Sequence, residues 1–368
     1  MVGSTILPGV SSTEELGFRC TPNDLYFKEK VSAMVKATSS FNVWVFRKLL
    51  QTALTLFLVI VLNFFLIRLM PGDVLVGILG ESEYSHLMVE FPEELDRIRE
   101  EYGLNASIDI QFVRYMTSIV QLDFGYSFIT KQPVIPYVLY HMQWTLILLL
   151  PVILISALIG GIMGAKAGWK SGGRLDKLMT PVAIVLSNIP AHFVAILFLM
   201  LFAFRLRWFP LGSMTSGGLS GIRKVVDVIR HMSLPVLILV LFRSMGNFLY
   251  MKSYTMQIAN QEFVTTALSK GLTDKQVLKR HVLKNILPPY FTLLCMQFGH
   301  IFSGSMVMET VFSWRGMGAL LQISAKGKDY PVLQFSILII AASVLFFNLL
   351  ADFLNILIDP RIREGVHR

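Results

Sequence analysis

The chain has 368 residues, of which 54% are hydrophobic and 15% are charged, and its formal net charge is +9. In soluble domains about a quarter of the residues are charged. This composition therefore excludes a disordered protein, an ordinary cytosolic enzyme and a nucleic-acid-binding domain. In so apolar a chain, an excess of basic residues is more typical of membrane topology than of a nucleic-acid footprint.

Six apolar stretches are long enough to cross a bilayer, which takes about 20 residues in a helix. They lie at residues 49–67, 145–165, 179–204, 232–251, 290–308 and 332–358. A strand interpretation fails because the runs are too long and do not alternate apolar with polar residues. We therefore predict an all-α membrane protein with six transmembrane helices.

Charged residues between the spans predict their orientation. Basic residues dominate the segments 1–48, 166–178 and 252–289 and the tail 359–368, whereas loop 68–144 holds eleven acidic and five basic residues. The positive-inside rule then places both termini and the two basic loops in the cytoplasm and loop 68–144 outside. Loop 205–231, with five basic residues and one acid, disagrees with this arrangement.

Two charged residues fall inside the predicted spans. Arg243 lies in the middle of span four, and Asp352 lies about two turns from the end of span six. Intramembrane charges usually pair or face water. We predict an Arg243–Asp352 pair, with separate exposure of each side chain to water as the alternative.

Segment 252–289 is too patterned to be a simple connector. Val264, Ala267 and Leu268 form one helical face, and Gly271 is suited to end that helix in a left-handed conformation. Thr273 and Gln276 form a predicted capping box for a second helix. Its apolar stripe is Leu278, Val282 and Ile286, and Pro288–Pro289 is predicted to stop it before span five. The functional interpretation is docking of a soluble partner, and the alternative is a helix lying on lipid headgroups.

Polar residues near the middle of the spans are candidates for a translocation path. They are Asn188, His192, Gln297 and His300, to which Met306 in the last turn of span five is added, and the segment from Asn188 to Pro190 is a predicted helix break. Two histidines and a methionine also fit a path for a soft metal, although hydrogen bonding between helices is the more common role of histidine. We predict no resident metal site.

Small residues repeat every four positions at Gly160, Gly164 and Gly168. This spacing favours close helix packing over a hinge. The chain also lacks the Gly-x4-Gly-Lys-Ser/Thr loop that cradles nucleotide phosphates, so it has no predicted ATP site and is not expected to be an enzyme.

Several motifs together resemble the permease subunits of binding-protein-dependent ABC importers, most closely the dipeptide, oligopeptide and nickel class. The run 262–289 resembles the cytoplasmic signature of that family, with Thr265 in place of its glutamate. Further matching segments occur in the same order as in the family: Met70-Pro71-Gly72-Asp73, Asp123-Phe124-Gly125-Tyr126-Ser127, Met308-Glu309-Thr310-Val311-Phe312-Ser313-Trp314, Asp329-Tyr330-Pro331 and Asp359-Pro360-Arg361.

The resemblance implies a type I importer permease whose core covers residues 141–358, with the coupling loop at 252–289. The residues expected to contact an ATPase subunit are Glu262, Thr265, Thr266, Ala267, Leu268, Lys270, Gly271, Leu272, Thr273, Leu278, His281 and Pro288. Those expected to contact an extracytoplasmic binding protein are Trp314, Arg315 and Gly316, with Arg315 in place of the family's usual proline.

The implied partners are a homologous permease in a heterodimer, two ATPase subunits that carry ATP and Mg, and the binding protein. The solute is a peptide or a similar small molecule. The alternative is an ATP-independent channel or a membrane scaffold protein.

Overall fold

The computed structural model describes residues 22–302 and 306–358, with side chains over 43–302 and 306–357. The first 21 residues of the segment 1–48, which is predicted to be a cytoplasmic N-terminal extension, and the tail 359–368, with its Asp359-Pro360-Arg361 motif, lie outside the described residues. Every regular element within the described ranges is helical, which confirms the all-α class.

The helices follow in chain order, and short π or 3-10 turns extend three of them. They are α1 (Pro22–Arg68), α2 (Val74–Leu79), α3 (Glu81–Glu90), α4 (Pro92–Glu101), α5 (Ile108–Gln121), α6 (Val134–Trp169), α7 (Arg174–Asn188), α8 (Ala191–Phe198, then a π turn Leu199–Arg205), α9 (Gly221–Ala259), α10 (Glu262–Ser269), α11 (Asp274–Val277, then a π turn Leu278–Val282), α12 (Leu283–Gly299, then a 3-10 turn His300–Phe302), α13 (Met306–Val311), α14 (Met317–Lys326) and α15 (Tyr330–Ile358).

Four helical segments in the described residues are long and apolar enough to cross a membrane. They are Val43–Arg68, Val134–Trp169, Gly221–Ala259 and Tyr330–Leu357, and they contain the first, second, fourth and sixth predicted spans. Two of them, α6 and α9, are much longer than the predicted spans, because each helix continues past the hydrocarbon core. The 36 residues of α6 extend about 54 Å at 1.5 Å per residue, against a core of about 30 Å.

The third predicted span is a bent pair of helices. The axes of α7 and the α8 segment differ by 93°, so the predicted break at Asn188–Pro190 is confirmed. Ile189 is extended, with φ −95° and ψ 125°. This geometry follows from the sequence, because a proline disfavours the helical conformation in the residue before it.

The prediction for span five is wrong in two respects, and the count of six spans is not confirmed. First, α12 ends at Gly299, where a 3-10 turn follows, instead of continuing to residue 308. Second, Pro288 and Pro289 lie inside α12 and do not stop it. Prolines are tolerated within membrane helices where neighbouring groups satisfy the freed backbone. Separately, the Tyr250 hydroxyl of α9 donates to the carbonyl of Pro289 at 3.3 Å and joins the two helices.

Helices α6 and α9 form the most extensive helix pair, and the predicted glycine packing is confirmed there. Gly160, Gly164 and Gly168 face the α9 backbone. A Cβ atom on Gly164 would lie 2.5 Å from the carbonyl oxygen of Phe248. Because only glycine leaves room for this approach, the stripe fixes the pair that carries the candidate site.

Candidate functional site

The segment α10–α11 forms the predicted bent helix pair. Gly271 follows α10 with φ +81°, the left-handed conformation expected from the sequence. Thr273 begins the next helix, and its backbone N–H donates to Gln276 Oε1 at 3.0 Å in the predicted capping box. The turn is therefore fixed by one backbone conformation and one reciprocal cap.

The inner face of this segment packs against the membrane helices. Its buried residues form one cluster with residues of α6, α9 and α12: Ala157, Ala165, Met251, Val264, Ala267, Val277, Val282, Ile286 and Tyr290. Two details of the predicted stripe need correction. Leu268 is 40% exposed because it lies at the edge of the face. Val277 is the fully buried residue at the start of the second stripe, and Leu278 is half-buried.

The outer face of the segment is accessible. Seven of the predicted ATPase-contact residues are exposed: Glu262, Thr265, Thr266, Leu268, Lys270, Gly271 and Thr273. Leu272, Leu278 and His281 are half-buried, and Ala267 and Pro288 are buried. Since buried residues cannot touch another subunit without rearrangement, Ala267 and Pro288 support the surface instead of forming it.

Phe263 is a surface residue that sequence reasoning missed. Its side chain is 38% exposed and lies on α10 with Leu268. Phenylalanine is enriched in the cores of protein interfaces, so this exposed position on α10 is a candidate contact residue. The sequence contained evidence for this exposure. Phe263 is apolar, but it does not lie on the same helical face as Val264 and Ala267.

The candidate path residues lie on four different helical segments, α7, α8, α12 with its 3-10 turn, and α13. Asn188 ends α7 and donates from Nδ2 to the Ile184 carbonyl at 2.7 Å, and His192 is half-buried just beyond the break. His300 and Met306 are exposed on either side of the undescribed residues 303–305. The proposed shared path of these residues stays a prediction.

Gln297 belongs to a polar line between three helices. Its Nε2 donates to Asn247 Oδ1 at 2.7 Å, and Asn247 Nδ2 lies 3.4 Å from Ser156 Oγ. The Gln297 Oε1 atom is buried without a hydrogen-bond partner in the described residues. This line joins α12, α9 and α6, the same helices that carry the α10–α11 segment.

The two intramembrane charges lie on α9 and α15. The pair of Arg243 and Asp352 stays a prediction.

A second candidate region surrounds Glu309, whose side chain is fully buried. Thr145 Oγ1 donates to Glu309 Oε1 at 2.8 Å, and the Ala319 N–H donates to Oε2 at 3.0 Å. The Met317 N–H donates to Thr145 Oγ1 at 2.7 Å. Gly316 packs so closely that an added Cβ would overlap the carboxylate. This carboxylate therefore holds the turn between α13 and α14 against α6.

The predicted binding-protein contact at this turn needs correction. The Trp314 side chain is 1% exposed, and its Nε1 donates to the Trp144 carbonyl at 2.9 Å. Gly316 is also buried, whereas Arg315 is exposed. The Arg315 carbonyl lies 2.9 Å from His141 Nδ1, which fixes its backbone. Arg315 is thus the one member of the predicted trio whose side chain faces outward.

An open cavity of about 1030 Å³ lies beside this turn. Aromatic and polar side chains of α6, α13 and α14 line it, among them Tyr137, Tyr140, His141, Arg315 and Gln322. A cavity of this size with a few convergent polar groups is typical of small-molecule sites.

Asp73 organises the loop before α5. Its Oδ1 accepts the Leu75 N–H at 3.0 Å and caps α2, and its Oδ2 accepts from the Tyr84 hydroxyl and the Arg99 guanidinium. Burial by itself raises the pKa of Asp73, but these hydrogen bonds together hold the pKa below its ordinary value. The Lys328 ammonium donates to the Asp73 carbonyl at 3.2 Å, so this loop is tied to the start of α15.

Asp329, directly before α15, links the start of that helix to the loop before α6. Its carboxylate accepts from the Ser127 hydroxyl and from the Phe128 N–H, the latter at 3.0 Å. The motif residues Asp73, Ser127 and Asp329 are therefore all engaged in contacts within the chain.

Two family profiles match the chain. The profile described as binding-protein-dependent transport system inner membrane component matches residues 156–364, and the corresponding N-terminal profile matches residues 41–149.

Curated relatives match over most of their length. A probable peptide ABC transporter permease protein of Sinorhizobium fredii is 28% identical over 88% of this chain and 99% of its own. The oligopeptide transport system permease protein AppB of Bacillus subtilis is 28% identical over 87% and 98%, respectively. The glutathione transport system permease protein GsiC of Salmonella paratyphi A is 30% identical over 87% and 98%.

Proposed function

Because the chain belongs to the family of binding-protein-dependent transport system inner membrane components, we propose that it is the permease subunit of an ATP-driven importer of peptides. The curated relatives named above as peptide, oligopeptide and glutathione permeases support this substrate class. The observation that carries the mechanism is the α10–α11 segment, which has one face packed on the membrane helices and one face open.

The open face is the docking site of an ATPase subunit. Phe263 and Leu268 provide apolar contacts, and Thr265, Thr266 and Lys270 surround them with polar groups. An apolar centre with a polar rim is the usual anatomy of a protein interface. ATP and Mg belong to that subunit, and this chain contributes the surface.

The packed face passes movement to the membrane helices. Val264 and Val277 are buried against α6 and α9, so a displacement of the α10–α11 segment must move these helices or open a cavity beneath it. Cavities in packed apolar clusters cost several kcal/mol, about 2–5 for a leucine-sized void. Joint movement of the α10–α11 segment with α6 and α9 costs less free energy. Through this movement, nucleotide binding to the ATPase subunit changes the translocation path.

The remaining partners are those that the family of the chain implies. A homologous permease completes the path in a heterodimer, and a binding protein delivers the peptide at the Arg315 side of the molecule. In this orientation both termini and the α10–α11 segment are cytoplasmic, and the cavity beside Glu309 opens outward. His192, Gln297, His300 and Met306 remain candidates for the path between these two sides.

The test is Gly271→Val in the assembled transporter. A β-branched residue at φ +81° is strained by about 1–2 kcal/mol, and the turn changes shape to relieve it. We expect peptide uptake per ATP hydrolysed to fall about tenfold, which corresponds to about 1.4 kcal/mol of coupling.

The matched control is Gly80→Val between α2 and α3. Gly80 has φ +88° and, like Gly271, open space around an added Cβ. With ψ 156° as well, Gly80 has a conformation that essentially only glycine adopts, so valine is strained there at least as much as at Gly271. The site is nevertheless far along the chain from the α10–α11 segment. Unchanged uptake per ATP in the Gly271 variant would contradict the coupling role of the α10–α11 segment. Failure to recover any ATPase subunit together with the native chain would favour the channel or scaffold alternative.

A further inference from the structure

A basic cavity of about 400 Å³ lies where the C-terminal end of α6 meets α7 and α11. Four cationic side chains line it together with one acid: Lys166, Lys170, Arg174, Lys275 and Asp274. Trp169 also lines the cavity, and it packs against the apolar cluster beneath the α10–α11 segment. The cavity therefore offers a concentration of positive charge beside an aromatic ring.

The positive charge is not neutralised by ion pairs in the part of the chain that the structure describes. The ion pairs among the described residues include none of the four cations. The nearby acid Asp176 is unavailable, because its carboxylate contacts Lys252 Nζ at 2.5 Å and accepts from the Thr180 hydroxyl at 2.6 Å. One carboxylate, Asp274, therefore faces four cations, and an anion would be attracted there.

An apolar groove of about 480 Å³ adjoins the basic cavity and shares Lys166 and Leu278 with it. Side chains of α6 and α12 line the groove, including Leu154, Leu158, Ile162, Leu287, Phe291 and Leu294. Leu158 is 64% exposed and Ile162 is 46% exposed, so the groove is open on the side of the molecule. A charged cavity that continues into an apolar groove matches a molecule with an anionic head and a hydrocarbon tail.

We propose that this composite site binds one phospholipid with an anionic headgroup. The phosphate and headgroup occupy the cavity of Lys166, Lys170, Arg174 and Lys275, and an acyl chain lies in the groove between α6 and α12. Trp169 lies at the level of the headgroup, where tryptophan is enriched in membrane proteins. Basic pockets between helices at this depth recognise anionic lipids.

The apolar groove favours a phospholipid over a free anion as the ligand of this site. Inorganic phosphate would use only the cavity, and the exposed apolar side chains of α6 and α12 would have no role. A phospholipid uses both parts and covers apolar surface that otherwise faces the membrane. Because the cavity borders Lys275 and Leu278, bound lipid would stiffen the base of the α10–α11 segment.

The experiment uses the purified transporter complex and the fluorescence of Trp169. Phosphatidylglycerol and phosphatidylcholine with brominated acyl chains are titrated separately, and bromine quenches a nearby indole. The chain has five tryptophans, so the signal of Trp169 is the difference between the native protein and Trp169→Phe. We expect phosphatidylglycerol to quench Trp169 at a lower mole fraction than phosphatidylcholine.

Charge-neutralising variants test the headgroup. Each cation near a membrane surface contributes about 1 kcal/mol, or about fivefold, to binding of an anionic lipid. Lys170→Gln with Arg174→Gln should therefore reduce the preference for phosphatidylglycerol roughly 30-fold. The control is Arg223→Gln with Lys224→Gln, two exposed basic residues at the start of α9 that make the same change in net charge. This control should keep the full preference.

Two results with the intact complex would overturn the proposal. One is equal quenching of Trp169 by both lipids in the native complex, which would show no selection for an anionic headgroup. The other is protection of Trp169 by inorganic phosphate without quenching by either lipid, which would reveal a soluble-anion site. Full accessibility of Trp169 to lipid only after removal of a partner subunit would likewise show that a protein, and not a lipid, covers the groove.

Discussion

The α10–α11 segment and the Glu309 turn contrast in how they use their motif residues. In the turn, the carboxylate of Glu309, the hydroxyl of Thr145 and the indole of Trp314 are all buried and bonded within the chain. In the segment, Thr265 and Lys270 lie exposed on a face that the chain leaves open. A motif that resembles a family signature can therefore hold the fold or offer a surface, and burial distinguishes the two.

Removing the Glu309 carboxylate should have the largest effect on stability. Glu309→Ala leaves the Thr145 hydroxyl and the Ala319 N–H without their acceptor in a fully buried site. Hydrogen bonds to a charged group contribute about 1.5–3 kcal/mol each, so we expect the two bonds together to account for a loss of about 3–6 kcal/mol. Thermal unfolding of the detergent-solubilised protein measures it.

The exposed acid Glu262 provides the control for that change. Glu262→Ala should alter the free energy of unfolding by less than about 0.5 kcal/mol, as surface substitutions usually do. Equal melting temperatures for the two alanine variants would mean that the Glu309 carboxylate does not hold its turn.

Replacement of Leu268 by an acid should weaken binding of the ATPase subunit and leave the fold intact. The Leu268 side chain is 40% exposed, so Leu268→Asp leaves the apolar cluster intact. If it is an anchor of the ATPase interface, its loss costs at least about 2 kcal/mol, or roughly 30-fold in affinity. Titration of the ATPase subunit onto the permease measures this change, with Val89→Asp on α3 as a control of higher exposure, 81%. Equal affinities for the two variants would remove Leu268 from the interface.

Loss of the cap should give the smallest effect. Thr273→Ala removes the side chain of the capping box at the start of α11 and should destabilise that helix by about 1 kcal/mol. Hydrogen exchange of residues 274–282 would quicken about fivefold, whereas Thr265→Ala on the exposed face of α10 should leave it unchanged. Identical exchange in the two variants would show that the cap does not fix the turn.

Local patterns in the sequence predicted local structure well. Long apolar runs located the four continuous spans, Gly271 marked a left-handed turn, and the step from Asn188 to Pro190 marked a 93° bend. The spacing of Gly164 correctly predicted that it contacts a neighbouring helix. In each case the physical cause lies within a few residues of the feature, so a single sequence contains it.

Features that depend on distant residues were harder to predict. Pro288 and Pro289 lie inside α12, and whether a membrane helix tolerates proline depends on its neighbouring groups, which local spacing does not reveal. The burial of Trp314 depends on Trp144, which lies 170 residues earlier in the chain. The acid Glu309 at the edge of an apolar run was a signal for a buried carboxylate, but its donor Thr145 could not be identified from spacing.

The central claim is that the open face of α10 contacts an ATPase subunit. A photo-crosslinking amino acid at Thr266 tests it most directly, because that side chain is exposed and lies outside the buried cluster. The same probe at the exposed Arg315 serves as the comparison. We predict an adduct with the ATPase subunit from position 266 and none from position 315. Absence of the adduct at 266 in an intact, transport-active complex, or its appearance at 315, would contradict the assignment.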